Sequence, residues 1–145
     1  MPLMHSHTLD SQNRGTTTDA LASGDWIVAC LCAAWCGTCG AYRAAFEQLA
    51  ERHPDKHFVW IDIEDQADVV GDLDVDNFPT LLIQKHDVVA FFGTVLPDAV
   101  LAERLLAAQT GQTDGELEAQ AQASEERRMW QRECNLRLLL KDAEA

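Results

Sequence analysis

The stretch WIVACLCAAWCGTC, residues 26–39, decides how this chain folds and where its chemistry lies. Its first half is an unbroken apolar run, which predicts a strand covered on both faces of a sheet. Directly after it, residues 36–52 repeat apolar side chains at helical spacing, which predicts an amphipathic helix. Cys36 therefore stands where a buried strand ends and a helix begins.

A thiol at the start of a helix has altered acidity. Helix N-termini favour negative charge, and cysteines there ionise with pKa values of about 3.5–7.5 instead of about 8.5. Cys36 is therefore predicted to be a thiolate and a nucleophile at neutral pH. Cys39, one helical turn further on, is predicted to resolve the mixed disulfide that Cys36 forms with a substrate. The two thiols would then end as a disulfide.

The rest of the chain continues to alternate between strands and helices. Helices are predicted at residues 16–24, 66–73 and 98–109, strands at residues 58–63, 80–83 and 88–92, and a turn at residues 85–87. This order predicts an α/β fold with a central mixed sheet flanked by helices. We expect residues 1–15 to be a flexible leader, residues 16–110 to form the domain, and residues 111–145 to form a linker and a C-terminal amphipathic helix. Thr113 and Glu116 have the spacing of a capping box for that helix.

Length and charge exclude several classes of function. The chain has 145 residues, of which 47% are hydrophobic, enough for one domain with a real core. Its formal net charge of −13 argues against binding to nucleic acids or to anionic lipid surfaces. Because it has neither an apolar run of about 20 residues nor the pattern of a secretory signal, we expect a cytoplasmic protein.

Several motifs together resemble the thioredoxin family. The pentapeptide Trp35-Cys36-Gly37-Thr38-Cys39 follows the buried strand, Phe78-Pro79-Thr80 stands where the family has its cis-proline, and Gly93 follows the predicted hairpin. The resemblance covers roughly residues 19–109. It implies a thioredoxin fold and a protein-disulfide oxidoreductase that needs no cofactor or metal. Its partners would be disulfide-containing client proteins and an electron donor, either a reductase or a small thiol.

The same resemblance implies which residues contact the client. Substrate-binding roles fall on the motif residues Trp35, Gly37, Thr38, Phe78, Pro79 and Gly93. In proteins similar to thioredoxin, the residue before the cis-proline offers backbone groups to an extended client segment. Phe78 and Pro79 are therefore the main candidates.

Two positions that carry buried charges in many thioredoxins depart from the family pattern. Cys30 stands where many thioredoxins have a buried aspartate that moves a proton to or from the resolving thiol, and Trp60 stands where they have a lysine. A buried thiol stays neutral and cannot replace a carboxylate as a base. Cys30 and Trp60 are thus candidate modulators of the site. Their identity favours an alternative function, a non-catalytic adaptor or chaperone-like module that uses its C-terminal helix.

The other cysteines leave alternatives open. Cys30 and Cys32 share one face of a strand, where they either pack as small hydrophobes or exchange with Cys39. A further alternative is that these three and Cys36 hold zinc or an iron-sulfur cluster, although a straight strand seldom converges on a helix-start pair. Cys134 lies on the apolar stripe of the tail, which would dock on the core, form a dimer or bind a partner.

Overall fold

The computed structural model describes residues 6–10, 12–33, 36–71, 73, 79–95 and 98–144. Strands and helices alternate along the first part of the chain, and helices alone follow after the last strand. In chain order the elements are β1 (Ser6–Thr8), α1 (Arg14–Ala22), β2 (Trp26–Cys32), α2 (Gly37–Arg52), β3 (His57–Asp62), α3 (Ala67–Val70), β4 (Thr80–Lys85), β5 (Val88–Thr94), α4 (Ala99–Thr110), α5 (Asp114–Ala121), α6 (Glu125–Glu133) and α7 (Leu136–Glu144).

The strands form a mixed sheet in the order β1-β3-β2-β4-β5. Strands β1, β3 and β2 run parallel, whereas β4 is antiparallel to β2 and β5 is antiparallel to β4. The apolar run of β2 places this strand at the centre, where every residue after Trp26 is buried. The predicted central mixed sheet with flanking helices is confirmed.

Side chains that alternate along β2 divide the core into two layers. Ile27, Ala29 and Leu31 belong to a layer that also contains side chains of α1, α3, α6 and α7, which we call the outer layer. Val28, Cys30 and Cys32 belong to a second layer with side chains of α2 and α4, which we call the thiol layer. Because Cys39 also belongs to the thiol layer, the fold brings three buried cysteines together there.

The predicted turn between β4 and β5 is confirmed as a short hairpin loop. His86 adopts a left-handed conformation there, with φ of 52°. The ring of His86 packs against Gly24, where an added Cβ would lie only 2.5 Å from Nε2. Gly24 has φ of 87°, so both its backbone conformation and its lack of a side chain are required.

The predicted flexible leader at residues 1–15 is wrong over the part that the structure describes. Residues 6–8 are the edge strand β1, paired in parallel with β3 so that Thr8 lies opposite Trp60. Leu9 is buried, and helix α1 begins at Arg14. The Arg14 guanidinium binds the Asp68 carboxylate at 2.8 Å. Backbone pairing, which polar side chains do not reveal, therefore makes this segment part of the domain.

The predicted C-terminal helix is also corrected, because it is three short helices. The capping box is confirmed at its start, where the Glu116 N–H donates to Thr113 Oγ1 and the Thr113 N–H donates to Glu116 Oε1. A second N-cap interrupts the helix, since Ser124 Oγ accepts a hydrogen bond from the Arg127 N–H at 3.1 Å. Helix α7 then starts after the buried Asn135.

The three helices dock on the domain, one of the three arrangements that the sequence left open. Trp130, Leu136 and Leu140 are buried in the outer layer. The Gln131 side-chain amide pairs with the backbone of Val89, accepting from its N–H at 2.8 Å and donating to its carbonyl at 2.9 Å. This amide thus satisfies the backbone N–H and carbonyl of Val89 in β5, a strand at the edge of the sheet.

Candidate active site

Cys36 is the N-cap residue of α2 and has an extended backbone, with φ of −87° and ψ of 112°. As the N-cap residue, Cys36 lies next to the first turn of the helix, whose N–H groups have no partner within the helix. The pKa of Cys36 is lowered, chiefly by the backbone N–H of Cys39, with further hydrogen bonds from the Cys39 thiol and from Thr38. The direction of this shift agrees with the effect predicted for a thiol at a helix start.

Cys39 is the inner partner of the pair and is buried, with 1% of its surface exposed. Its pKa is strongly raised, first by burial and next by the neighbouring Cys32 side chain. The two thiols also affect each other, because Cys39 helps to lower the pKa of Cys36 and Cys36 helps to raise that of Cys39. The site thus pairs an accessible, acidic thiol with a buried, weakly acidic one.

Two further thiols extend this pair into the core. The Cys32 sulfur lies 3.6 Å from the Cys30 sulfur, and Cys32 and Cys39 are buried in the same layer. The pKa of Cys32 is strongly raised, first by its hydrogen bond to Cys30 and then by burial. We call these four cysteines the row of thiols: Cys36 is partly exposed, and Cys39, Cys32 and Cys30 are buried.

The row of thiols is not arranged as a metal centre. Within the ranges that the structure describes, His, Cys, Asp and Glu side chains form no group of three or more that could hold a metal ion. Cys134 lies outside the row, in the outer layer, where burial raises its pKa to about 12. Its burial leaves it poorly suited to the glutathionylation or dimer formation that an exposed cysteine could support.

The structure describes four of the six residues that are predicted to bind a client. Gly37 and Thr38 are exposed in the first turn of α2. Pro79 is buried, and its carbonyl accepts a hydrogen bond from the Val95 N–H at 3.0 Å. Gly93 pairs with Leu81 in the neighbouring strand. Two more candidates, Trp35 and Phe78, lie outside the described residues.

Cys30 and Trp60, the two departures from the family pattern, are direct neighbours in the sheet. They are paired across β2 and β3, and Trp60 is 8% exposed. The Arg43 guanidinium lies over the Trp60 ring at 4.6 Å from its centroid and donates to Thr8 Oγ1 at 2.8 Å. A cation therefore lies close to the position where many thioredoxins have a lysine, but it belongs to a side chain of α2 and stacks on the Trp60 ring.

The Arg43 side chain belongs to a groove beside Cys39 that the sequence analysis did not predict. The groove has a volume of about 370 Å³ and is lined by Thr8, Ala33, Cys39, Gly40, Arg43, Trp60, Asp62 and Asp65. Arg43 follows Cys39 by four residues, so the helical repeat could have placed both on one face of α2. The contribution of Thr8 depends on β1 and had no signal in the sequence.

Tyr42 is a second residue that the sequence analysis left out of the site. Its ring is buried in the thiol layer, and its hydroxyl has no hydrogen-bond partner among the described residues. Burial raises the pKa of this hydroxyl, and the nearby Cys30 and Cys32 raise it further. Tyr42 thus brings an unused hydrogen-bond donor to the inner end of the row of thiols.

The fold and the site together define a class of protein. Its central sheet is mixed, and the helix that follows the central strand carries two cysteines at its start. The family model described as thioredoxin matches residues 11–105 of the chain. The chain belongs to the thioredoxin family.

Curated thioredoxins match about half of the chain. Over 66 residues it is 35% identical to thioredoxin of Ophiophagus hannah, a match that covers 46% of this chain and 63% of the relative. Over 67 residues it is 37% identical to thioredoxin-2 of Saccharomyces cerevisiae, covering 46% of this chain and 64% of the relative. The chain therefore spans less than two thirds of the length of these relatives.

Solved structures show that the fold is that of thioredoxin. A wild-type thioredoxin h from poplar has a TM-score of 0.66 at 18% identity, covering 75% of this chain and 99% of that structure. A mutant thioredoxin from Halobacterium salinarum has a TM-score of 0.64 at 21% identity, covering 78% of this chain and 98% of that structure. The predicted fold and family are confirmed. In the described part of the chain, none of the helices has the length and apolar character required to span a membrane.

Proposed function

We propose that this protein is a thiol-disulfide oxidoreductase that exchanges electrons with disulfides in client proteins through Cys36 and Cys39. The observation that carries the proposal is the place of Cys36 as the N-cap residue of α2, where its pKa is lowered, chiefly by the backbone N–H of Cys39, which favours the thiolate. A thiolate, and not a thiol, attacks a disulfide. Membership of the thioredoxin family supports the same reaction class.

The proposed reaction has two exchange steps. The Cys36 thiolate attacks one sulfur of the client disulfide, the client S–S bond breaks, and the second client sulfur leaves as a thiolate. Cys39 then loses its proton and attacks Cys36, which releases the first client sulfur and closes the Cys36–Cys39 disulfide. The client gains two electrons, and a reductase or a small thiol returns the protein to its dithiol form. These steps require neither a cofactor nor a metal.

The second step is the one that we expect to limit the rate. Burial raises the pKa of Cys39 well above its ordinary value, so its thiolate is scarce near neutral pH. Cys30 provides a thiol where a carboxylate would accept the proton in many thioredoxins. We therefore expect mixed disulfides at Cys36 to persist longer than in a thioredoxin that has the buried aspartate.

Client binding is assigned to the surface around Cys36. The exposed Gly37 and Thr38 can contact an approaching disulfide directly. On the resemblance to thioredoxins, Trp35, Phe78, Pro79 and Gly93 would complete that surface. The acidic net charge of −13 favours clients that are not themselves strongly acidic. Neither a nucleic acid nor a membrane is proposed as a partner, and the cytoplasmic location stays a prediction.

Insulin reduction with dithiothreitol tests the proposal. The wild-type protein should accelerate the reduction, and Cys36→Ser should abolish the acceleration because it removes the attacking sulfur. Cys134→Ala is the matched control, since it removes a buried cysteine of the outer layer and should keep the wild-type rate. Equal rates for wild type and Cys36→Ser, both folded, would refute the catalytic role.

The alternative adaptor function makes a different prediction. It is motivated by the replaced buried charges and by the extra C-terminal helix, but Leu117, Ala121, Trp130 and Cys134 on the apolar stripe of that segment are buried, and Leu138 alone of the stripe is exposed. A capture experiment with Cys39→Ser separates the two functions. An oxidoreductase should retain clients through a disulfide at Cys36 that dithiothreitol breaks, whereas an adaptor should retain them equally well after Cys36 is also replaced.

A further inference from the structure

The groove beside Cys39 is lined by charges of both signs, and the proposed reaction uses none of them. The Arg43 guanidinium belongs to α2, whereas the carboxylates of Asp62 and Asp65 belong to the end of β3 and to the turn that follows it. Among the described residues, Arg43 makes an ion pair with Glu47 at 3.4 Å and none with either aspartate. The groove therefore presents positive and negative charge without pairing them with each other.

The charged side chains of the groove are held by contacts within the protein. The Arg43 guanidinium lies 4.6 Å from the centroid of the Trp60 ring and donates to Thr8 Oγ1 at 2.8 Å. Asp62 Oδ1 accepts a hydrogen bond from the Asp65 N–H at 3.3 Å. Groups that are oriented before a ligand arrives lose less conformational entropy when it binds.

We propose that this groove binds a small peptide thiol that carries both carboxylate and ammonium groups, and that this thiol is the electron donor of the protein. The Arg43 guanidinium binds a carboxylate of the donor, and Asp62 and Asp65 bind its ammonium group. The inference rests on the proposed function for the reduction step, whereas binding in the groove depends only on the residues that line it.

The size and place of the groove fit such a ligand. Its volume of about 370 Å³ lies at the lower end of the range of about 300–1,000 Å³ in which proteins bind small molecules. Ala33 and Trp60 provide apolar surface for the methylene groups of the ligand. Cys39 and Gly40 also line the groove, and the Gly40 N–H donates to the Cys36 carbonyl at 3.3 Å. A ligand in the groove therefore lies next to one half of the disulfide that the proposed reaction forms.

The charge of the protein favours a donor with charges of both signs. A formal net charge of −13 repels anions from the surface. A thiol that also has an ammonium group is attracted by the two aspartates, so it meets less repulsion than a thiol that has carboxylates alone.

Reduction by the bound thiol proceeds in two exchanges. The donor loses its proton to solvent and its sulfur attacks Cys36, the Cys36–Cys39 bond breaks, and Cys39 leaves and takes up a proton. A second donor, also as a thiolate, attacks the donor sulfur of the mixed disulfide, which releases the Cys36 thiolate and forms the donor disulfide. Two donor thiols thus lose two electrons, and the protein returns to its dithiol form.

Titration with S-methylglutathione tests binding apart from redox chemistry, because this peptide has both kinds of charge but no free thiol. In NMR spectra of isotope-labelled protein, the Trp60 indole N–H and the Gly40 amide N–H should shift until the groove is saturated. Arg43→Gln should raise the dissociation constant about fivefold, as expected for the loss of one exposed charge pair.

Arg52→Gln is the matched control for the loss of charge. Arg52 lies on the same helix but outside the groove, and its guanidinium is 3.8 Å from the Glu103 carboxylate. This variant should bind S-methylglutathione with the wild-type dissociation constant.

Reduction of the oxidised protein, followed by labelling of free thiols, tests the role of the peptide thiol as donor. Arg43→Gln should lower the ratio of the rate with glutathione to the rate with the uncharged 2-mercaptoethanol, again about fivefold. Asp65→Asn should lower the ratio of the rate with glutathione to the rate with N-acetylcysteine, because N-acetylcysteine has a carboxylate but no ammonium group.

Several results would overturn the inference. They are S-methylglutathione titrations that leave the Trp60 and Gly40 signals in place, equal dissociation constants for Arg43→Gln and Arg52→Gln, and rate ratios that neither Arg43→Gln nor Asp65→Asn changes. S-methylcysteine should bind more weakly than S-methylglutathione, and equal affinity would contradict a peptide as the ligand. If Arg43→Gln does not fold, Asp65→Asn changes an exposed side chain and should itself weaken the binding of S-methylglutathione.

Failure of the proposed function would give a different result. A protein that does not accelerate insulin reduction with dithiothreitol has no working dithiol, yet its groove would still bind S-methylglutathione. Activity with insulin and no binding in the groove would contradict the present inference alone.

Discussion

Replacing Leu136 with alanine should destabilise the whole domain, although this residue lies beyond the segment that matches the family model. The Leu136 side chain is fully buried in the outer layer, together with side chains of α1, α3 and the central strand. Its backbone N–H donates to Gln84 Oε1 at 2.8 Å, a bond that alanine retains. The substitution therefore removes packing and leaves the local hydrogen bonds in place.

The size of the effect follows from the burial. Removing a fully buried leucine side chain costs about 2–5 kcal/mol, the transfer of its methyl groups plus the cavity that is left. A domain of this kind has a free energy of unfolding of about 5–15 kcal/mol in total. With a urea m-value of about 2 kcal/mol/M, a loss of about 3 kcal/mol lowers the midpoint by about 1.5 M.

Urea unfolding followed by tryptophan fluorescence and by circular dichroism measures the change. Leu138→Ala is the matched control, because this side chain lies on the same helix but is 39% exposed, and a change within about 0.5 kcal/mol is expected. Similar small losses for Leu136→Ala and Leu138→Ala would refute the packing of α7 on the domain. Separate transitions for the two probes in the wild type would also contradict it.

Three further predictions concern acidity and local hydrogen bonds. The pKa of Cys36 is lowered. Its rate of alkylation by iodoacetamide should therefore reach half of its maximal value below about pH 8.5, the pKa of a free thiol. A midpoint at or above that of glutathione would contradict this prediction. The Arg137 hydrogen bond lowers the pKa of Asp87, so its stabilisation is present above the ordinary value of about 3.9 and disappears as the pH falls through the lowered one. Asp87→Asn should thus lower the free energy of unfolding by at most about 1 kcal/mol at neutral pH and leave it unchanged in strong acid, as urea titrations at both pH values would show. Thr113→Ala breaks the capping box of α5 and should lower the free energy of unfolding by about 1 kcal/mol, as measured by urea titration. An unchanged free energy of unfolding would show that α5 does not need its cap.

Much of the fold could be predicted because its central elements have strong local patterns. The apolar run before Cys36 predicts a buried strand, and the structure places it at the centre of the sheet. The predicted helix over residues 36–52 agrees with α2, which begins at Gly37 and ends at Arg52. Both elements are long or strongly apolar, so tertiary contacts and local preference agree.

The errors fall where distant contacts decide the structure. Strand β1 has polar side chains and is held by backbone bonds to β3, which no periodicity reveals. The break between α6 and α7 depends on Asn135, whose side chain accepts a hydrogen bond from the Gln84 amide at 2.7 Å inside the core. A partner 51 residues away along the chain cannot be identified from local spacing.

The candidate site shows the same division. The acidity of Cys36 follows from its place at a helix start, which is local, and the sequence predicts it correctly in direction. The burial of Cys39 in one layer with Cys30 and Cys32 requires the position of α2 over β2, whereas the two-residue spacing of Cys30 and Cys32 shows only that they share a face. The sequence could thus suggest exchange with the strand cysteines but could not place Cys39 in their layer.

The two departures from the family pattern are linked by the geometry of the sheet. Cys30 and Trp60 are paired across neighbouring strands, so a buried carboxylate and a buried ammonium at these positions would be neighbours. An isolated buried charge is costly, and removal of one partner leaves the other uncompensated. The joint replacement by a thiol and an aromatic ring avoids that cost and leaves no carboxylate at this position to accept the proton of the buried Cys39. We therefore expect the same exchange of a charged pair for uncharged groups to slow the release of a client from Cys36.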